Sequence, residues 1–327
     1  MPRTLVTGAG GFLGCRVARH LAARGHQVVA LGRSASLRDA LRDAPIAVRI
    51  CDLGDAAALS ALEMSDLDAI VHCAGLSSNW GPRRDFERNN VTATANLLAQ
   101  ARRWGRPHFV HVSSSSVYFA FRDGLNVGES SALPAPVNHY AWSKVAAEHL
   151  IRVAADIPWT IIRPRGIYGA GDNALLPRLL RAAKRGPLPS FNGGRAVIDL
   201  THVDDVAAAI NCILDARDKT AGAIYNVSGG EAVSIRDIIT RSAALSGVDV
   251  RWRELPWPFA LAAIRTIEGF HKLFRPEVEP VVTAYSAGLL AFSQTLDLSA
   301  IRNDLGWTPT VDFAEGLRRT FAGDRAA

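Results

Sequence analysis

Residues 3–14 read RTLVTGAGGFLG, and this stretch decides the fold. Its first half is a short β-strand pattern, and its second half contains glycines in a GxxGxxG spacing. Residues 15–25, CRVARHLAARG, follow with apolar side chains on one helical face and a glycine where a helix would stop. Residues 26–32, HQVVALG, form a second strand pattern. Strand, glycine loop, helix and strand within about 30 residues predict a βαβ unit, the context in which a glycine motif is specific.

The glycine loop predicts a binding site for a dinucleotide. Gly8 and Gly11 permit a tight turn and a close backbone approach to a pyrophosphate, and Gly14 lets the helix and strand pack together. The pyrophosphate would lie at the helix amino terminus, where unpaired N–H groups point toward it. We therefore expect cofactor contacts from Gly8, Gly11, Phe12, Leu13 and Gly14.

The end of the second strand pattern indicates the cofactor type. In NAD-binding proteins an Asp or Glu there accepts hydrogen bonds from ribose hydroxyls, whereas this strand ends in Leu31-Gly32-Arg33-Ser34. The guanidinium of Arg33 suits a 2′-phosphate. We predict that NADP(H) is preferred over NAD(H); the alternative is that Arg33 is a loop arginine facing water.

Further strand patterns end in residues suited to ligand contact. AVRICDL has Asp52 and Leu53 at its end, DAIVHCAG ends in Ala74 and Gly75, and FVHVSS and WTIIRP follow. The small residues let a cofactor approach the backbone, and the Asp52 carboxylate can accept from an adenine amino group. Because ligands bind at the carboxyl edge of such sheets, the chain predicts an α/β fold: a Rossmann-type doubly wound parallel sheet with a smaller carboxyl-terminal α/β substrate lobe.

Tyr140 and Lys144 lie four residues apart in YAWSK, at the start of an amphipathic helix pattern, so they share one helical face. A lysine charge beside a phenol favours phenolate, so we expect the pKa of Tyr140 to lie below its usual value of about 10. Such a tyrosine can exchange protons near neutral pH. The alternative is a solvated Tyr–Lys pair.

With these motifs the chain resembles the extended short-chain dehydrogenase/reductase family, the NAD(P)-dependent epimerase/dehydratase superfamily. The resemblance covers essentially the whole chain and rests on TGAGGFLG, Asp52-Leu53, Asn90-Val91, VSSSSVY, YAWSK, RPRGIYG, HVDDVAAAI, YNVSGG and LDLSAIRNDLGWTP. It implies that Tyr140 is the acid/base and that Lys144 holds the nicotinamide ribose and lowers the tyrosine pKa. It also implies that Ser114, four residues before the tyrosine of SxxxVY, hydrogen-bonds the substrate carbonyl.

The same resemblance implies further cofactor contacts from the backbone near Pro164 and Ile167 and from Asn90. For Asn90 two roles stay open, an anchor for a water relay and a support for the local backbone.

Departures from the family pattern argue against two of the reactions that members of the family catalyse. Sugar-nucleotide dehydratases resemble this chain but have an Asp-Glu pair where Ser115 and Ser116 stand, so the carboxylates needed to eliminate water are missing. Sugar-nucleotide epimerases have an Arg that grips a diphosphate where Ile198 stands, and an apolar side chain cannot pair with a phosphate. Other arginines can substitute for it, namely Arg165, Arg178 and Arg195.

Residues 252–296 indicate the substrate class. They contain an approximate helical stripe of apolar residues, formed by Trp257, Phe259, Leu261, Ile264, Ile267, Phe270, Leu273 and Phe274. The arrangement LP…RPEVEPVVTAY…LDLSAIRNDLGW resembles the branch of 3β-hydroxysteroid dehydrogenases, sterol decarboxylating dehydrogenases and 2-alkyl-3-oxoalkanoate reductases. That branch acts on hydrophobic alcohols or ketones. The stripe is interpreted as the core of the small lobe, a lid or a membrane-contacting surface, and these alternatives stay open.

We therefore expect an NADP(H)-dependent oxidoreductase that transfers hydride to or from a secondary alcohol or ketone. The expected substrate is hydrophobic, either sterol-like or a β-keto/β-hydroxy acyl compound. The alternatives are an NAD-dependent sugar-nucleotide epimerase and a non-catalytic NADP(H)-sensing regulator. The predicted division of the chain assigns 1–170 and 200–228 to the NADP-binding domain, and 171–199 and 229–327 to the substrate lobe.

Composition argues against several other classes of protein. With 48% hydrophobic and 21% charged residues the chain can bury a sizeable core, and its formal charge of +6 contains no dense basic block, so no nucleic-acid partner is expected. No apolar run reaches the roughly 18 residues of a membrane span. Four cysteines without CxxC spacing, and no signal peptide, predict free thiols, a cytoplasmic location and no metal site. A small-molecule substrate is the expected partner, with a homodimer possible as in the superfamily.

Overall fold

The computed structural model describes residues 1–172 and 175–322. Its strands, in chain order, are β1 (Arg3–Thr7), β2 (Gln27–Gly32), β3 (Ala47–Ile50), β4 (Ala69–His72), β5 (His108–Val112), β6 (Gly124–Val127), β7 (Trp159–Pro164), β8 (Ile167–Tyr168), β9 (Leu188–Ser190), β10 (Val197–Ile198), β11 (Thr201–His202), β12 (Ala223–Val227), β13 (Val233–Ser234), β14 (Trp252–Glu254) and β15 (Gln294–Leu296). Its α-helices are α1 (Phe12–Ala23), α2 (Leu37–Ala40), α3 (Ala56–Ser60), α4 (Arg83–Phe86), α5 (Ala93–Arg103), α6 (His139–Val153), α7 (Leu176–Arg185), α8 (Val203–Asp215), α9 (Arg217–Thr220), α10 (Ile235–Leu245), α11 (Trp257–Phe274), α12 (Ala284–Ala291), α13 (Ser299–Leu305) and α14 (Phe313–Ala322). A π-helical segment covers Glu87–Thr92, and 3-10 turns cover Ser115–Tyr118 and Asn192–Gly194.

Seven parallel strands form the main sheet, in the order β12-β7-β5-β4-β1-β2-β3. The chain winds outward from β1 in one direction through β2 and β3, and then in the other direction from β4. The direction of winding therefore changes between β1 and β4, and the carboxyl ends of these two strands flank the crevice where ligands bind in such sheets. The predicted doubly wound α/β fold is confirmed.

Helices cover both faces of this sheet because its strands carry apolar side chains on both faces. Leu5 and Val6 are adjacent on β1, fully buried, and belong to different clusters, as the alternation of a strand requires. Helices α1 and α8 pack on the Val6 side, and α5 and α6 contribute to the cluster that contains Leu5. This two-sided burial explains why the strands are continuous apolar runs.

A second, four-stranded sheet has the order β13-β10-β15-β6. Three of its strands come from the carboxyl-terminal half, but β6 comes from within the predicted first domain and pairs with β15. Strand β12 returns to the main sheet beside β7. The division of the chain into two parts stays a prediction, and residues 173–174 and 323–327 of the predicted lobe lie outside the described residues.

The residues of the predicted apolar stripe lie on two different faces of helix α11. Trp257 and Ile264 pack toward Phe191 and α12, whereas Phe259 is 77% exposed and Leu273 is 74% exposed. No residue of α11 is fully buried, so one face of the stripe packs on the small lobe and the other face is exposed. Across residues 1–172 and 175–322, no helix has the length and apolar character needed to cross a membrane.

Candidate active site

A cleft of about 680 Å³ lies at the carboxyl ends of the main-sheet strands. Each strand from β1 to β5, and β7, contributes the residues that directly follow it. The cleft is lined by all but one of the predicted site residues, namely Gly8, Gly11, Phe12, Leu13, Gly14, Arg33, Asp52, Leu53, Ala74, Gly75, Ser114, Tyr140, Lys144, Pro164 and Ile167. The predicted residue outside the lining is Asn90.

The glycine loop is tight enough to require glycine at two positions. Gly8 has φ +66°, and a Cβ on it would lie 2.6 Å from the backbone nitrogen of Ala74. A Cβ on Gly14 would clash with the carbonyl oxygen of Gly8. Gly11 begins α1 without a side-chain cap, so the first-turn N–H groups have no side-chain acceptor there. The residues present therefore fit a bound pyrophosphate.

Arg33 lies at the opposite end of the cleft from the serine strand, where β2 ends. Its guanidinium is exposed and donates to Asn89 Oδ1 at 3.0 Å. Ser34 and Ser36 also line this end, with their hydroxyls 2.7 Å apart. Sequence reasoning missed these serines and Asn89, although the run of short polar residues after Arg33 was a usable signal. Together they form a cationic, hydroxyl-rich rim suited to an anion.

The Asp52 carboxylate is held by its neighbours. It accepts from the backbone N–H of Gly54 at 2.9 Å and from Arg88 Nη2 at 2.7 Å. The Gly54 hydrogen bond lowers the pKa of Asp52, burial acts in the opposite sense, and Arg88 lowers it further. An ionised, fixed acceptor therefore stands in the cleft where β3 ends.

Asn90 supports the loop behind the cleft. Its side chain is buried, accepts from the Leu76 N–H at 2.6 Å, and donates to the Leu76 carbonyl and to Ser143 Oγ at 3.1 and 2.7 Å. It thereby connects the segment after β4 to α6. This placement favours the backbone-support role over direct contact with a cofactor, and cofactor binding by Asn90 stays a prediction.

The four consecutive serines have different surroundings. Ser113 is buried and donates to Glu148 Oε1 at 2.5 Å. Ser114 Oγ lines the cleft and accepts from the Ser116 N–H at 3.1 Å. Ser115 and Ser116 belong to the 3-10 turn that follows. Among the four, Ser113 faces the packing between sheet and α6, and Ser114 faces the cleft beside Tyr140.

Tyr140 and Lys144 lie in the first turns of α6, which begins after Asn138, whose side chain accepts from the Ala141 N–H at 2.8 Å. Lys144 Nζ donates to the Val112 carbonyl at 2.9 Å and lies 5.9 Å from the centroid of the Tyr140 ring. Burial lowers the pKa of Lys144 to about 8, with a smaller opposing effect of Cys73 and Glu148.

The expectation of a lowered tyrosine pKa is wrong for this structure. Burial raises the pKa of Tyr140, and a hydrogen bond with Ser114 offsets part of that increase. The physical reason is that the lysine charge is directed to a backbone carbonyl on β5, while the phenol loses water.

Several cleft residues were outside the predicted set. Tyr285 and Leu289 come from α12, more than 100 residues after the YAWSK segment, so no local pattern connects them to the site. Arg165 follows β7 directly and was considered only as a replacement for a missing phosphate ligand. Burial raises the pKa of Tyr285 to about 12, and the field of Arg165 lowers it in part.

Comparisons with known proteins agree with this fold. The model of the NAD dependent epimerase/dehydratase family matches residues 4–228. The chain is 31% identical over 335 residues to 2-alkyl-3-oxoalkanoate reductase of Stenotrophomonas maltophilia (strain K279a), covering 99% of this chain and 100% of the relative. It is 31% identical over 326 residues to 4-hydroxy-2-methyl-3-oxo-4-farnesyl-3,4-dihydroquinoline-1-oxide ketoreductase of Stigmatella aurantiaca, covering 96% and 94%.

Among solved structures, UDP-glucuronic acid 4-epimerase from Bacillus cereus, crystallised with NAD, is similar with a TM-score of 0.75. Its sequence is 24% identical, and 99% of each chain is covered, so this likeness concerns the fold alone. The fold and the cleft define an NAD(P)-dependent enzyme of the dehydrogenase/reductase class. The chain belongs to the NAD-dependent epimerase/dehydratase family, the extended short-chain dehydrogenases/reductases.

Proposed function

We propose that this enzyme is an NADP(H)-dependent oxidoreductase that interconverts a secondary alcohol and a ketone. The observation that carries the proposal is the convergence of Ser114, Tyr140 and Lys144 on the cleft that also contains the glycine loop. A bound nicotinamide supplies one hydride to the carbonyl carbon in reduction and accepts it in oxidation. The protein supplies the proton and the electrostatic setting.

The three side chains have distinct roles in this proposal. The Ser114 hydroxyl donates a hydrogen bond to the carbonyl oxygen and polarises it. Tyr140 transfers its phenolic proton to that oxygen as negative charge develops there, and the resulting phenolate regains a proton from solvent. Lys144 contacts the nicotinamide ribose, and its positive charge stabilises the phenolate. A phenol kept protonated by burial suits the donor role in reduction.

The preference for NADP(H) is supported by the rim formed by Arg33, Ser34 and Ser36. A 2′-phosphate there would accept from the guanidinium and from two hydroxyls. The described lining residues at this end include one carboxylate, Asp52, and its charge is already balanced by Arg88. An NAD-type carboxylate at the end of β2 is missing from the sequence.

A hydrophobic substrate is supported by the apolar wall of Leu175, Leu289 and the Tyr285 ring, and by the two reductases, of which the chain covers 100% and 94%. One of them is named for a 2-alkyl-3-oxoalkanoate and the other for a farnesylated ketone. By analogy, the substrate class proposed for this chain is a ketone or alcohol with a long apolar substituent.

The epimerase alternative has less support. Ile198, at the position expected for a diphosphate-binding Arg, belongs to the core cluster of the small sheet and does not line the cleft. The sensor alternative leaves the convergence of Ser114, Tyr140 and Lys144 without a purpose, since binding alone needs no acid/base. A cytoplasmic location, inferred from four unpaired thiols, and a homodimer stay predictions.

The test is a panel of NADPH oxidation assays with ketones graded from sugar nucleotides through steroids to long-chain 3-oxo acids. We expect turnover with the apolar ketones, faster with NADPH than with NADH, and none with UDP-sugars. Tightly retained NAD together with stabilisation by a UDP-sugar would instead identify an epimerase. Cofactor binding without turnover on the whole panel would identify the sensor.

A further inference from the structure

We propose that Arg165 is the recognition site for a carboxylate of the substrate, close to the carbon that exchanges hydride. The inference rests on the proposed function, which gives the position of the reacting carbon. The anion site is inferred independently, from the surroundings of Arg165. It narrows the substrate from an apolar ketone to an acid of the β-keto/β-hydroxy type.

Arg165 is firmly held at the end of β7. Its backbone N–H donates to the Val227 carbonyl at 3.0 Å, and its carbonyl accepts from the Thr201 hydroxyl. The residue is 5% exposed and lines the cleft. Because the residue is buried and lines the cleft, its guanidinium is available to a ligand in the cleft and not to bulk solvent.

The guanidinium of Arg165 is poorly compensated. Nε makes one long hydrogen bond of 3.5 Å to the Gln294 carbonyl, and Nη2 is buried without a partner. Within residues 1–172 and 175–322 no carboxylate forms an ion pair with it. The nearby Asp199 accepts from Ser228 and Leu296 through Oδ2. Its Oδ1 is buried without a hydrogen-bond partner, and its charge attracts Arg165 without forming a hydrogen bond or an ion pair with it.

Two other arginines near the site form ion pairs. The preceding arginine, Arg163, is clamped by Glu148 through two nitrogens, at 2.9 and 2.5 Å. Arg178, also in the cleft lining, forms an ion pair with Glu279. Arg165 therefore differs from both in presenting an unsatisfied, buried cation to the cleft. Burying such a group is unfavourable unless an anion completes its hydrogen bonds.

A carboxylate fits this site better than a phosphate ester does. A planar guanidinium matches the two oxygens of a carboxylate, whereas a diphosphate needs more positive charge than one free arginine provides. Tyr285 is buried and lines the same cleft, so its hydroxyl is available as a second donor to an anion bound there. Tyr140, Arg165, Leu175 and Leu289 all line this cleft. The proposed substrate places its carbonyl at Tyr140, its carboxylate at Arg165 and its alkyl chain toward the two leucines.

The test measures binding of (R)- and (S)-3-hydroxydecanoate and of their methyl esters to the NADP⁺ complex by titration calorimetry. We expect the wild type to bind one acid at least tenfold more tightly than its ester. Arg165→Gln should remove this preference and leave ester affinity within about twofold, and Arg165→Lys should retain part of it because the charge remains without the planar fork. Arg195→Gln, which removes an exposed arginine outside the cleft lining, is the matched control.

The outcomes separate this inference from the proposed function. An acid preference that is absent in the wild type, or that survives Arg165→Gln, overturns the carboxylate site. Formation of NADPH is recorded in the same samples, and acid binding without NADPH formation would overturn the proposed function while leaving the carboxylate site intact. Ester binding by Arg165→Gln shows that this variant is folded.

Discussion

Lys144 is buried against β5, with its Nζ directed to the Val112 carbonyl, and this position governs its protonation. Burial disfavours the charged form, which is why the pKa of the lysine lies at about 8 and not near 10.5. The same burial raises the pKa of Tyr140, because the charged form of a tyrosine is the deprotonated one. At neutral pH the pair therefore consists of a protonated phenol and an ammonium group.

The pH dependence of the free enzyme follows from Lys144. As pH rises through about 8 the ammonium loses its proton, and with it the charge that the proposed mechanism assigns to holding the ribose and stabilising the phenolate. We expect kcat/KM for ketone reduction to decline on the alkaline side of about pH 8, because this ratio reports groups of the free enzyme. A profile that stays flat to pH 10 would contradict this assignment.

In the proposed function, the cofactor preference depends on Arg33. Arg33→Ala should weaken NADPH binding about tenfold to a hundredfold, the loss expected for charge-assisted hydrogen bonds, and should leave NADH binding nearly unchanged. Arg38→Ala, an exposed arginine of α2 outside the cleft lining, is the control. Equal loss of affinity for both cofactors would show that Arg33 does not read the 2′-phosphate.

At the scale of elements, the serine strand is tied to α6 by a buried polar network. Glu148 on α6 accepts from Ser113 and pairs with Arg163 on β7, and Arg163 also donates to the Tyr118 hydroxyl at 2.5 Å. This network holds the end of β5 and the first turns of α6 in one arrangement. The positions of Ser114 and Tyr140 relative to each other depend on it.

Glu148→Gln tests the network through stability. Removing the carboxylate leaves Arg163 buried and uncompensated, so we expect the free energy of unfolding to fall by about 3–5 kcal/mol in urea titrations. Asp156→Asn removes one partner of the exposed ion pair Arg102–Asp156. This substitution should change the free energy of unfolding by less than about 1 kcal/mol. Similar effects of the two substitutions would contradict the importance of the buried pair.

Helix α11 should respond differently on its two faces. Trp257 is half-buried and packs edge-to-face on Phe191 and Phe292, so Trp257→Ala should lower the free energy of unfolding by about 1–2 kcal/mol. Phe259→Ala, on the exposed face, should change it by less than about 0.5 kcal/mol. Chemical denaturation of both variants measures this difference, and equal losses would show that the exposed face is covered in solution.

At the scale of the whole molecule, the order of motifs along the chain predicted the fold because each βαβ connection is local. The glycine loop, Asp52, Ala74 and Ser114 all follow strand patterns, and a parallel sheet brings such ends to one edge. The contributions of Tyr285 and Leu289 could not be predicted in this way, since α12 reaches the cleft through tertiary packing. The pKa of Tyr140 was also beyond sequence reasoning, because burial outweighs a neighbouring charge that points elsewhere.

The most direct test of the account is the turnover of Tyr140→Phe with NADPH and an apolar ketone that the wild type reduces. The account predicts a fall in kcat of about a hundredfold to ten-thousandfold, the contribution of a positioned acid, with NADPH affinity retained. His139→Ala, a change at the exposed neighbour of Tyr140, should leave kcat unchanged. Near-normal turnover by Tyr140→Phe would show that the proton comes from elsewhere and that this site does not work as proposed.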